Sequence, residues 1–231
     1  MEISFNNEWE KIHAERIKDK CVWGGYPCEE VIRFMARNYY NVENRANVKV
    51  CDMGCGSGAN TWYLCNEGFD VHGFDGSASA IKQAESVINA HRMCANLKVK
   101  DALATDYEDE MFDVLIDNVS LCYMSEDKLK LFYKEAYRIA KNGAKMFTSG
   151  FTVNCTGVKN SEIIGDNTYT HFSEGNISSY DNVIHVWPDQ KKVYDFFAET
   201  EWRVISLDTI SWTDYGGKIK NEKYVVILQK G

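Results

Sequence analysis

Four short stretches of this sequence place glycines and carboxylates where they could hold a ligand. The segment "VCDMGCGSGANTWYL" (50–64) sets Gly54, Gly56 and Gly58 just ahead of an apolar run of helical character. Glycine reaches positive φ and carries no Cβ, so a ligand can approach the backbone closely. The N-terminus of a following helix adds free N–H groups and partial positive charge. A Walker-type phosphate loop needs Lys and Ser/Thr after the last glycine. Here Ala59-Asn60 follow Gly58, which excludes it. The looser dinucleotide pattern survives as Gly54-x-Gly56-x-x-Ala59, with the acid Asp75 about twenty residues on.

Three further features separate the candidates. Asp52 lies two residues before Gly54, at the mouth of the loop. A carboxylate there repels a pyrophosphate and suits a cationic group such as an ammonium. Asp75 ends the run "DVHGFD", where a ribose-binding acid belongs, and Asp101-Ala102 end "LKVKD". An acid at that third strand end can accept from an adenine amino group while the next N–H serves a ring nitrogen. "DVLIDNVSLCYM" (113–124) brings Asp117 and Asn118 towards the same crevice, with Asp113 read as structural. Together these acids describe a ligand with a ribose, an adenine and a positive charge, and no phosphate.

The elements needed to position these residues follow from periodicity. Segment 4–19 reads as an amphipathic helix, "KCVWGGYP" (20–27) as a turn-rich connector, and 29–40 as a second helix. Strands are expected at 48–53, 70–75, 97–101, 112–118 and 144–151. Helices are expected over 59–67, stopped by Gly68, over 78–93, capped by Ser77, and over 126–141, ended by Asn142-Gly143. A polar stretch over 152–184 has the length of a lid or binding loop. Pro188 opens a helix to about 199, and "TDYGGKIKNE" joins strands 203–211 and 223–229 as a hairpin. Alternation of this kind predicts an α/β fold, doubly wound, with a mostly parallel sheet and an antiparallel terminal hairpin. One domain is expected: a helical cap (1–46), a cofactor-binding core (47–151), a lid or substrate insertion (152–187), then a helix and strand pair (188–231).

Composition narrows the partners. The formal net charge of −8 argues against nucleic acid and anionic membrane. No apolar run is long enough to span a bilayer, and the N-terminus lacks the pattern of a secretory signal. None of the eight cysteines forms a C-x-x-C pair, so no metal ribbon or dithiol motif is expected. Free thiols in a reducing, cytoplasmic protein are the expectation.

The ordered segments "VCDMGCGSG", "GFDGSASAI", "VKDALATD" and "FDVLIDNVSLCYM" resemble the motifs of the class I S-adenosylmethionine-dependent methyltransferases over about Val48 to Phe151. The resemblance implies a Rossmann-like, seven-stranded sheet whose last strand is antiparallel. It implies S-adenosylmethionine as methyl donor and S-adenosylhomocysteine as product. By position, Gly54, Cys55 and Gly56 would cradle the methionyl part and Asp52 would face its ammonium. Asp75 would bind the ribose, with Gly76 and Ser77 beside the adenine, and Asp101 and Ala102 would read the adenine edge. Asp117 and Asn118 would close the site near the sulfonium, with Leu121 and Cys122 behind.

In related small-molecule enzymes a segment before the first strand closes over the donor. This implies that Trp23, Gly25 and Tyr26 wall the site, with Arg33 pairing a carboxylate. The acceptor expected from this resemblance is a small molecule, sugar-linked or belonging to a surface polysaccharide, on a monomer or homodimer. An oxygen or ammonium acceptor must lose a proton, and His171 is the first candidate base, followed by Tyr123 and Asp117. Tyr26, Trp187 and Trp212 could steady a cationic or planar acceptor. The competing readings are a non-catalytic module that binds the donor and regulates a partner, and an NAD(P)-linked oxidoreductase.

Overall fold

The computed structural model describes residues 7–18, 25–175 and 183–231, with the side chains of 7, 8 and 16–18 left aside. Two helices, α1 (Asn7–Lys18) and α2 (Glu29–Tyr39), precede the sheet. The core then alternates β1 (Lys49–Met53), α3 (Ala59–Asn66), β2 (Asp70–Asp75), α4 (Ala78–Ala90) and β3 (Asn96–Val99). It continues through β4 (Phe112–Asn118), α5 (Glu126–Ile139) and β5 (Ala140–Phe151). Three short strands, β6 (Glu162–Gly165), β7 (Thr168–Thr170) and β8 (Ile184–His185), lead to α6 (Gln190–Ala198). β9 (Trp202–Asp214) and β10 (Ile219–Lys230) close the fold.

The main sheet has seven strands in the order β3-β2-β1-β4-β5-β10-β9. β1 to β5 pair in parallel, and β10 runs antiparallel to both β5 and β9. Chain order reverses between β1 and β4, which places a crevice beyond the carboxyl ends of those strands. The two faces of the sheet bury alternate residues, as a two-residue side-chain period requires. Val50, Val114, Ile116 and Val225 pack with Val31, Phe34 and Met35 of α2 and with Tyr63 and Leu64 of α3. Cys51, Met53, Leu115, Met146 and Val226 pack on the other face with Phe132 and Ile139 of α5 and with Val193, Phe196 and Phe197 of α6. The continuous apolar run in β4 is therefore apolar because both of its faces are covered.

Boundaries differ where the chain bends. β5 begins directly at Ala140; its register jumps from Phe112↔Ala140 to Val114↔Lys145, with Gly143 at φ +78° in the irregularity. The Asn142-Gly143 turn thus sits inside a kinked strand rather than ahead of one. Asp189, not Pro188, prepares α6: its side chain accepts from Lys192 N, so the proline stands just outside the cap. The terminal strands also run further than expected. Pairing continues to Asp214↔Ile219, and Tyr215, Gly216 and Gly217 make the turn at positive φ. Within 152–185, β7 pairs with β6 on one side and β8 on the other in a small antiparallel sheet. Among the described residues, no helix is long and apolar enough to cross a membrane.

Candidate functional site

A cavity of about 1020 Å³ opens over the carboxyl ends of the parallel strands. The loop after β1 forms its floor through Gly54, Cys55 and Gly56. Gly54 has φ +66°, and a Cβ there would lie 2.5 Å from Ser120 Cβ. That close approach lets the Ser120 hydroxyl donate to Gly54 O at 2.8 Å and joins the β1 and β4 loops. Gly56 has φ +52° and open space on its Cβ side, where the nearest atom is His13 Cε1 at 4.0 Å. One glycine closes the scaffold and the other leaves room for a ligand against the backbone.

The four carboxylates of the strand ends divide into two pairs. Asp75 lines the cavity and accepts from Gly56 N at 3.0 Å and Ser77 N at 2.8 Å. Burial pushes its carboxyl up, against the two backbone hydrogen bonds that favour the ionised form. Each oxygen carries one such bond and retains capacity to accept another. Asp101 lines the wall beside Ala102, and its Oδ1 accepts from Leu103 N at 2.9 Å.

Asp52 and Asp117, in contrast, are not on the cavity wall. Asp52, 2 % exposed, accepts from the Thr61 hydroxyl at 2.6 Å and also from the Thr61 backbone N–H. The N-cap of α3 is Gly58, which has no side chain to offer the first turn, so the carboxylate from β1 supplies it. Asp117, 1 % exposed, accepts from Ser120 N, Leu121 N and Thr148 Oγ1, and so ties the β4 loop to β5. Burial pushes both carboxyls up to about 6. The expectation that Asp52 faces an ammonium and Asp117 the sulfonium is therefore corrected: unpaired backbone donors close by turn both inwards. Cys122 is buried behind the wall with Asp117, whereas Asn118 and Leu121 reach the cavity. Gly76 lines it, and Ser77 lies beneath as the cap of α4, accepting from Ala80 N at 3.0 Å.

The roof comes from α1, which the glycine-rich connector was expected to supply. Trp9, Ile12 and His13 line the cavity. Glu10 fastens the helix by accepting from Ser77 Oγ at 2.6 Å, Ser79 Oγ at 2.6 Å and Ser79 N at 3.1 Å. Gln83 Nε2 donates to His13 O at 3.2 Å. Trp9 meets Tyr123 edge-on at 4.7 Å, joining the roof to the far wall. The i, i+3, i+4 spacing of Trp9, Ile12 and His13 is the sequence signal for this face.

Gly25, Tyr26 and Arg33 do not line the cavity. Tyr26 is 86 % exposed, and Arg33 pairs with Glu29 at 3.4 Å on the outer face of α2, whose apolar face is committed to the sheet. Trp23 lies outside the described residues. His171 is also away from the wall: it is exposed, and its Nδ1 lies 3.0 Å from Glu162 Oε2. Of the three candidate bases, Tyr123 alone lines the cavity. Trp187 is core and Trp212 is wall. Sequence reasoning missed His13, Lys223 and Asn221, which reach the cavity only through α1 and the long terminal hairpin.

The chain matches the family model described as a methyltransferase domain over residues 50–143. No curated protein matches it. Among solved structures it is similar to an S-adenosylmethionine-dependent methyltransferase of Methanosarcina mazei, with 21 % identity, a TM-score of 0.68, and 83 % of this chain and 94 % of that chain covered. It is similar to one of Clostridium acetobutylicum, with 14 % identity, a TM-score of 0.65, and 97 % and 98 % covered. A third is the 1,6-didemethyltoxoflavin-N1-methyltransferase of Burkholderia thailandensis, with 11 % identity, a TM-score of 0.68, and 96 % and 87 % covered. Residues 50–143 match a methyltransferase domain, and the fold that carries them is that of the class I S-adenosylmethionine-dependent methyltransferases.

Proposed function

We propose that this enzyme transfers a methyl group from S-adenosylmethionine to a small-molecule acceptor. The observation that carries this reading is Asp75, clamped by two backbone N–H groups beside the open face of Gly56, with Asp101 at the next strand end. These residues fit the donor: a buried carboxylate with free acceptor capacity for ribose hydroxyls, a second acid for an adenine edge, and a backbone approach clear of any Cβ. When bound, the donor supplies an electrophilic methyl carbon on a sulfonium. The protein's part is to align donor and acceptor and to exclude water. Asp75 holds the ribose, Gly76 lies beside the adenine whose edge Asp101 and Ala102 read, and Gly54, Cys55 and Gly56 hold the methionyl part. Asn118 and Leu121 border the reacting centre. Trp9, Ile12 and His13 cover it, and Tyr123, on the cavity wall, is the candidate base retained from the sequence for taking a proton from an acceptor.

A small-molecule acceptor is in keeping with the Burkholderia neighbour, which was solved with 1,6-didemethyltoxoflavin and S-adenosylhomocysteine bound. A sugar-linked acceptor is the narrower form expected from the sequence. The seven described cysteines are free thiols, which suits a reducing compartment such as the cytoplasm. The test is incubation with methyl-labelled donor and a fractionated metabolite pool. Label should enter a small molecule with matching release of S-adenosylhomocysteine. Tight donor binding with no transfer to any fraction would favour a regulatory binding module instead.

A further inference from the structure

Part of the cavity wall is built by the terminal hairpin. Asn221 and Lys223 stand two residues apart on β10, so their side chains share one face. Trp212 pairs directly with Asn221 across to β9, and Phe151 pairs with Lys223 across to β5, which puts both on that face. All four line the cavity. Glu222, between Asn221 and Lys223, faces the other way and binds Thr152 and Asn154.

The polar groups of this face are few and their directions are fixed. Asn221 is 1 % exposed, and its Nδ2 donates to Asp214 Oδ2 at 2.9 Å. A carboxylate cannot donate, so the amide orientation is set and Oδ1 is left as an acceptor. The Lys223 ammonium donates to Glu30 Oε2 at 3.3 Å and Cys28 Sγ at 3.5 Å. Two of its three donors are used, and one remains. Glu30 balances its charge, so the face calls for no net charge on a ligand. Trp212 and Phe151 flank this donor and acceptor on neighbouring strands, and Tyr123, Val119 and Ile164 add apolar surface to the same cavity.

We infer that the methyl acceptor is a planar ring compound lying on this hairpin face, one edge accepting from Lys223 and donating to Asn221. This rests on the methyl-transfer reading. A sugar carries hydroxyls around its whole ring and would strand most of them against the aromatic wall. A flat ring with two polar positions on one edge meets the face as it stands, with its π surface towards Trp212 or Phe151.

The test uses 7-hydroxycoumarin, a fluorescent planar ring with a carbonyl and a hydroxyl on one edge, and methyl α-glucoside as the sugar probe. Binding of each is titrated to the full chain saturated with S-adenosylhomocysteine. The coumarin should bind and the glucoside should not. Trp212→Ala and Asn221→Leu should each weaken coumarin binding by up to about tenfold. Trp212→Phe should recover most of the loss, and S-adenosylhomocysteine affinity should stay within about twofold of wild type in all three. Glucoside binding, or coumarin binding indifferent to all three substitutions, overturns the proposal and leaves the methyl-transfer reading intact. Absence of coumarin binding with tight S-adenosylhomocysteine binding overturns it too. Failure of S-adenosylhomocysteine to bind removes the methyl-transfer reading itself.

Discussion

Asp52 and Asp75 leave neighbouring strands at the same edge of the sheet, yet they meet different groups. Asp75 takes the N–H groups of Gly56 and Ser77 and still lines the cavity, while Asp52 turns under the loop to the first turn of α3. Sequence spacing places both at strand ends. It does not say which neighbouring donors lack a partner, and that decides where each side chain points. Asp75→Asn keeps the shape but must turn an amide N–H towards one backbone donor. Loss of a charged hydrogen-bond acceptor of this kind costs about 1.5–3 kcal/mol, so donor affinity should fall roughly tenfold to a hundredfold by calorimetry. An unchanged affinity would remove Asp75 from the ribose role. Asp52 gives a different signature. Its folded carboxyl stands at about 6 against an ordinary 3.8, so the folded state holds the proton more tightly than the unfolded chain. Its contribution is therefore most favourable below pH 4 and is lost as pH rises towards 6 and beyond. The stability of wild type relative to Asp52→Asn should fall by up to about 3 kcal/mol between pH 4 and pH 7. Urea titrations across that range check this, and parallel pH curves for the two proteins would contradict it.

The elements were legible to unequal degrees. Runs such as 112–118 and 70–75 fix buried strands because nothing else buries so many apolar residues in sequence. Gly68 at φ +85° and the Ser77 cap mark helix ends by local chemistry alone. The roof was harder. Crowding of Trp, Tyr and Gly around 20–27 draws attention to that connector, but local pattern carries no information on which surface a helix meets. α2 spends its apolar face on the sheet, and α1 lies over the cavity because Glu10 finds the donors at the start of α4. Burial alone would raise the Glu10 carboxyl, but the serine hydrogen bonds hold it below its ordinary value, so the clasp stays ionised at neutral pH. Glu10→Ala removes three hydrogen bonds at once. Donor affinity should drop about fivefold to twentyfold, with faster amide exchange confined to α1 and the start of α4. Equal exchange in wild type and variant would mean that α1 is held by its apolar face alone.

At the scale of the whole chain, strand-helix alternation suffices for the sheet, but the ligand is decided by how charges are arranged around it. The glycine loop and Asp75 satisfy the loose dinucleotide pattern in sequence. In three dimensions a pyrophosphate seeks the free N–H groups of a helix N-terminus. At α3 the Thr61 N–H is already given to Asp52, and the Gly56 N–H to Asp75. A doubly anionic group would find both of these N–H groups taken and would meet Asp75 on the wall, within a chain of net charge −8. A nucleoside bearing a cationic or zwitterionic tail meets no such opposition. Thermal unfolding reads this difference in the intact protein. A ligand at about a hundred times its Kd adds about 2.7 kcal/mol to the folded state. For a chain of 231 residues each kcal/mol moves Tm by about 2–4 °C. S-adenosylhomocysteine at that excess should therefore raise Tm by roughly 5–10 °C, while NADH at the same concentration should leave it unmoved. A comparable rise with NADH would return phosphate to the loop and take away the charge argument on which the donor assignment stands.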